Sequence, residues 1–101
     1  MREICLIRLD KNRPALILTR AVALPHLHKI TVAPITGTIR GLLTEVLVGP
    51  DNGLDKDSAV SCDNIQTVWQ SQIGRHIGYL LPRQEAQLAA AINTAFDLYN
   101  D

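Results

Sequence analysis

His28-Lys29-Ile30-Thr31-Val32-Ala33-Pro34-Ile35-Thr36 alternates Ile30, Val32 and Pro34 with Thr31, Ala33 and Ile35. A period of two in a stretch rich in β-branched residues predicts a strand. Proline cannot donate to a ladder, so Pro34 places this strand at a sheet edge or at a bulge. Upstream, residues 3–9 set Cys5, Ile7 and Leu9 against Ile4, Leu6 and Arg8. Residues 14–19 are an apolar run that suits a buried strand opened by Pro14, and Asp10-Lys11-Asn12 makes a tight polar connection between the two. Residues 21–27, punctuated by Pro25, read as a loop.

Downstream, strands are expected at 43–48, 58–62, 64–69 and 76–80, with Gly49-Pro50-Asp51-Asn52-Gly53 carrying strong turn chemistry between the first two. Short strands recurring every ten or so residues indicate a small sandwich or barrel. From Pro82 the period changes. Leu88, Ala91, Ile92, Ala95, Phe96 and Tyr99 form the stripe of one amphipathic helix. Pro82 suits its first turn, whereas Leu81 is a poor cap. The reading is one domain over residues 1–101, mainly β (α+β), a small β-barrel with a C-terminal helix.

The 101 residues are 47% hydrophobic and 20% charged, with zero net charge, which excludes a disordered chain and a bulk-basic nucleic-acid binder. The charge is nonetheless segregated: residues 1–50 sum to +4 and residues 51–101 to −4. A positive half suits a polyanion. No apolar run approaches the roughly 18 residues that span a bilayer, and the N-terminus enters a strand without a secretory leader, so a cytoplasmic protein is expected. Cys5 and Cys62 lack metal-ligand spacing and are expected to be buried free thiols.

Several signals fail on inspection. His26-x-His28 has no third ligand nearby in sequence, and Asp51, Asp55 and Asp57 lack calcium-loop spacing. No phosphate-binding glycine loop, serine elbow or zinc-protease motif is present. Trp69 and Tyr79 are expected to be core or interface residues. What remains is Arg13, immediately before a buried strand, and Thr36, at the end of another. A guanidinium fork matches phosphate, and a threonine hydroxyl can donate to a phosphate oxygen.

The words around these two residues resemble the MazF/PemK toxins of type II toxin–antitoxin systems. The matching stretches are Arg13-Pro14-Ala15, Ala33-Pro34-Ile35-Thr36, residues 54–60, Asp63-Asn64-Ile65-Gln66-Thr67-Val68, Ile77-Gly78 and the helix over 92–98. They keep their order over essentially the whole chain. The resemblance implies an SH3-like barrel with a terminal helix, a homodimer, and a cofactor-free, metal-independent endoribonuclease. It also implies cleavage of single-stranded RNA to 2′,3′-cyclic phosphate and 5′-hydroxyl ends, and inhibition of growth. Arg13 and Thr36 map onto the catalytic arginine and threonine. Lys11, Thr31, Arg40, Ser58, Asn64, Gln66 and Thr67 are the RNA-binding candidates, with Arg20 and Lys29 on flanking phosphates. The implied partner is an antitoxin whose acidic C-terminal tail occupies the RNA groove.

Two features depart from the family. The first strand lacks its glycine and aromatic, and the loop before Arg13 is cut to Asp10-Lys11-Asn12. A shorter loop implies a more open groove. The same barrel also occurs in toxins that poison DNA gyrase, which depend on a terminal tryptophan that this chain lacks. A peptide-binding adaptor would show an aromatic groove, and the aromatic fraction here is 4%.

Overall fold

One strand organises the fold: β3, Lys29–Thr36, which has three partners. The computed structural model describes residues 1–98. The other strands are β1 (Glu3–Arg8), β2 (Asn12–Ile17), β4 (Glu45–Val48), β5 (Ser58–Ser61), β6 (Gln66–Trp69) and β7 (Ile73–Tyr79), followed by helix α1 (Pro82–Ala95). The antiparallel order is β4-β5-β3-β2-β1-β7, with β6 joined to β3 as a branch. Along one edge β3 meets β2, and along the other it meets β6 at Lys29–Val32 and β5 at Ile35 and Thr36. The sheet therefore curls into a half-barrel.

Pro34 is neither at a sheet edge nor in a bulge of this ladder. It pairs with Ala15 and falls in the gap between the β6 and β5 pairings. The missing N–H thus coincides with the residue where β3 changes partner. Pro14 is also interior to its strand rather than opening it, paired with Leu6. The β2–β3 ladder covers only Ala15–Ile17, so Pro14 removes no bond from it. Residues Ala21–His26, expected as a loop, form a 3₁₀ helix that contains Pro25.

Apolar side chains cover both faces of the central strands. One cluster packs Ile4, Leu16, Ala33, Ile35, Val46 and Val60 under Leu88 and Ala91 of α1. The other gathers Cys5, Ile7, Ala15, Ile17, Ile30, Val32 and Val68 on the opposite face. Two-sided burial explains why residues 15–18 are uniformly apolar. Phe96, expected on the helix's buried stripe, is instead exposed just past the helix end. Tyr99 lies outside the described residues. Trp69 and Tyr79 do not enter the core: both are exposed, Trp69 with Lys29 stacked 4.7 Å above its ring.

A pair of buried amides locks the helix to the sheet. Asn52 Nδ2 donates to Tyr79 O (2.9 Å) and Gln84 Oε1 (2.7 Å), while Asn52 Oδ1 accepts from the Gly49 amide (3.0 Å). Gln84 Oε1 also accepts from the Leu81 amide (2.9 Å), which satisfies the free N–H of the residue that opens the helix. Beside this pair, Gly53 (φ +87°) and Gly78 approach so closely that a Cβ on Gly78 would strike the Asn52 carbonyl.

Cys5 and Cys62 are buried free thiols, as expected. Burial, helped by Asp63, pushes Cys62 up from its ordinary 9.0 to about 11, and burial with Glu3 raises Cys5. An unfolded chain ionises these thiols near pH 9 while the native chain keeps them neutral. Stability from Cys62 is therefore fully present below pH 9 and is lost as pH climbs towards 11, by roughly 3 kcal/mol. The urea midpoint is expected to fall across that window more steeply in the natural protein than in Cys62→Ala.

Candidate active site

The β2–β3 register pairs Ile17 with Val32 and Ala15 with Pro34. Continued by two residues, it sets Arg13 opposite Thr36, and the period of two puts both on the face of Ile17 and Val32. Residues directly opposite on antiparallel strands hold their Cβ atoms about 4.5–5.5 Å apart. The β2–β3 ladder itself ends at Pro34, so the pair stands at an opening.

Two hollows meet at this ridge, and Arg13, Ile35 and Thr36 line both. The first, about 640 Å³, carries Arg40, Asn64 and Gln66 together with Glu45, Ser61 and Asp63. Its acidic groups are already engaged. Glu45 Oε1 accepts from the Arg40 amide (3.2 Å) and the Leu42 amide (3.1 Å), and Asp63 accepts from Thr44 Oγ1 (2.6 Å). The second hollow, about 510 Å³, holds Lys11, Arg13, Lys56 and Arg75 against Asp55 alone. A groove with one hydrogen-bonding end and one cationic end therefore runs across Arg13 and Thr36.

The Arg13 side chain is 46% exposed, with Asp10 Oδ1 3.8 Å from Nε. An exposed pair at that distance is weak, so the fork stays available to an anion. Thr36 Oγ1 accepts from the Thr38 amide (3.1 Å), which leaves its hydroxyl proton to donate outward.

Of the expected binding residues, Lys11, Arg40, Asn64 and Gln66 lie along the groove and Ser58 lies in its floor. Ser58 is nearly buried, its hydroxyl donating to Lys56 O (3.1 Å). Thr31 and Thr67 do not join them. They pair with each other across β3 and β6, one residue out of phase with Val32 and Gln66, and so occupy the opposite face. Arg20 and Lys29 lie outside the groove as well. His26 and His28 are exposed, without a third ligand among the described residues.

Sequence reasoning missed Lys56 and Arg75. Lys56 fills the space beside Gly37, its Nζ 2.8 Å from where a Cβ on Gly37 would stand, next to Thr36. Arg75 belongs to no motif, Lys56 stands in the 54–60 stretch without a marked role, and only the fold brings both to Arg13.

The fold and groove define a class: a small curled barrel with an arginine and a threonine between two hollows, one of them mainly cationic. The profile of the PemK-like, MazF-like toxins of type II toxin–antitoxin systems matches residues 3–96. Endoribonuclease MazF3 of Mycobacterium tuberculosis is 60% identical over 98 residues, 97% of this chain and 95% of that one. The structure of Mycobacterium tuberculosis toxin MazF-mt6 superposes with a TM-score of 0.96 at 58% identity, covering 98% of this chain and all of the other. A mycobacterial endoribonuclease solved in complex with its cognate antitoxin gives 0.87 at 25% identity, covering 98% and 95%. The chain belongs to the PemK-like, MazF-like toxin family of type II toxin–antitoxin systems.

Proposed function

We propose that the chain is a metal-independent endoribonuclease in which Arg13 and Thr36 bind the scissile phosphate. That Arg13 and Thr36 together line both hollows is the observation that carries the reading. The ribose 2′-oxygen attacks its own 3′-phosphorus, the bond to the 5′-oxygen breaks, and the products carry a 2′,3′-cyclic phosphate and a 5′-hydroxyl. Because the nucleophile belongs to the substrate, holding the linkage in line supplies much of the rate. The remaining need is charge stabilisation on the phosphorane, which the Arg13 fork supplies with a hydrogen bond from Thr36. Lys11, Lys56 and Arg75 would hold flanking phosphates, and Asn64 and Gln66 would hydrogen-bond splayed bases.

As the toxin of its system, the chain acts in the cytoplasm as a homodimer. An antitoxin restrains it, with an acidic tail lying in the cationic groove. No helix among the described residues is long and apolar enough to cross a membrane.

The test is a pool of RNA incubated with the protein in chelator, with product ends mapped. Discrete cuts ending in cyclic phosphate are expected, and a single 2′-deoxy substitution at the cut should abolish cleavage there. RNA left intact, with supercoiling by gyrase inhibited, would overturn the assignment in favour of a gyrase-binding toxin.

A further inference from the structure

Glu3 and Cys5 are two residues apart on β1 and so share a face. The β1–β7 register pairs Ile4 with Gly78 but then shifts, so that Cys5 meets His76 instead of Ile77. Bulges of this kind re-aim a side chain. Here the shift delivers the His76 imidazole to Glu3 and Cys5. His76 Nδ1 lies 2.9 Å from Glu3 Oε1, and a carboxylate oxygen, an imidazole nitrogen and the Cys5 sulfur all fall within 4.8 Å of one another. No other such group of potential ligands occurs among the described residues.

We propose that Glu3, Cys5 and His76 form a binding site for a divalent cation of the Zn²⁺ type, with solvent as the fourth ligand. The donor set is sulfur, nitrogen and oxygen, which suits a borderline-soft ion and disfavours magnesium or calcium. Tetrahedral zinc with bonds of about 2.0–2.3 Å holds its donors about 3.3–3.8 Å apart, so side-chain rotations of about an ångström close the site. The burial gradient is also suitable. Cys5 is 3% exposed and forms the floor, while half-exposed Glu3 and His76 flank the entry.

The ion would fasten β7, an edge strand, to β1. On either side of His76, Arg75 and Ile77 face the other way and line the cationic hollow. The site therefore braces a wall of the groove from behind and takes no part in the chemistry there, so the cleavage proposed above is expected to need no ion at this site.

The test titrates metal-free protein with Co²⁺. One equivalent is expected to bind with tetrahedral visible bands and a thiolate-to-cobalt absorption in the near ultraviolet, both removed by Zn²⁺. Zn²⁺ alone should raise the melting temperature. Cys5→Ser should abolish the near-ultraviolet band, and Cys62→Ser should keep it. His76→Gln changes an exposed side chain, so the variant remains folded even if Cys5→Ser does not. It should weaken Co²⁺ binding by more than about 100-fold, beyond the loss of an outer-shell partner. Absence of a cobalt spectrum, a spectrum unchanged in His76→Gln, or one that depends on Cys62 would overturn the proposal.

Discussion

Replacing Arg13 with alanine is expected to slow RNA cleavage by about 10²–10³-fold, the loss found when one preorganised donor to a developing oxyanion is removed. The side chain is half-exposed and makes only a weak ion pair with exposed Asp10 among the described residues, so its removal should leave the fold unchanged. Single-turnover cleavage of a short RNA, beside a thermal melt, separates the two effects. The rate constant should fall with the melting temperature within a degree or two, because the interaction grows only as the phosphorane forms. Arg13→Lys should recover little, since an ammonium cannot present a planar two-pronged donor to two oxygens. Thr36→Val should cost less: the methyl packing is kept, and one neutral hydrogen bond is lost. A cleavage rate unchanged in Arg13→Ala would remove Arg13 from the site.

The largest stability effect is expected at Asn52, far from any reacting atom. Asn52→Ala leaves the Gly49 amide and the Tyr79 carbonyl without their side-chain partner, while Gln84 keeps the Leu81 amide and the Leu47 carbonyl. Each stranded buried group costs about 1–3 kcal/mol, so the two together cost about 2–6 kcal/mol, much of the reserve of a 101-residue domain. Urea unfolding followed by circular dichroism should show the midpoint collapse. Gln84→Ala should behave similarly, and the double variant should lose far less than the sum, because both act on one network. Additive losses would show that the two amides act independently.

The same network illustrates what was and was not legible in the chain. Gly49-Pro50-Asp51-Asn52-Gly53 announced a turn, and a turn is there. That its asparagine is 2% exposed and cross-links the helix start to the end of β7 depends on residues 27 and 32 positions away. Pro34 shows a similar limit. Its missing N–H argued for an edge or a bulge, the two local solutions, whereas the fold used a third by letting the strand change partner at that residue. Phe96 continued the helical stripe in spacing, yet the helix ended at Ala95 and left it exposed.

The site divides along the same line. Arg13 and Thr36 stand in short motifs that a reader of the sequence can find, and the strands that carry them have clear periodicity. Thr31 and Thr67 were equally plausible by residue type. They pair with each other on the part of β3 that β6 covers and line neither hollow, a placement set by register. Lys56 and Arg75 lie in the half of the chain with net charge −4, so linear charge asymmetry pointed away from them. The half-barrel's curl brings β7 and the turn before β5 to Arg13.

By itself, the sequence determined the strands, the closing helix, the family words and the two residues offered to phosphate, because each depends on neighbours within a few positions. Only the tertiary structure decided which polar residues share the groove, that two buried amides hold the helix, and that a register shift gathers Glu3, Cys5 and His76. Those outcomes depend on pairing between strands, and a chain fixes its pairing only when the whole core is buried at once.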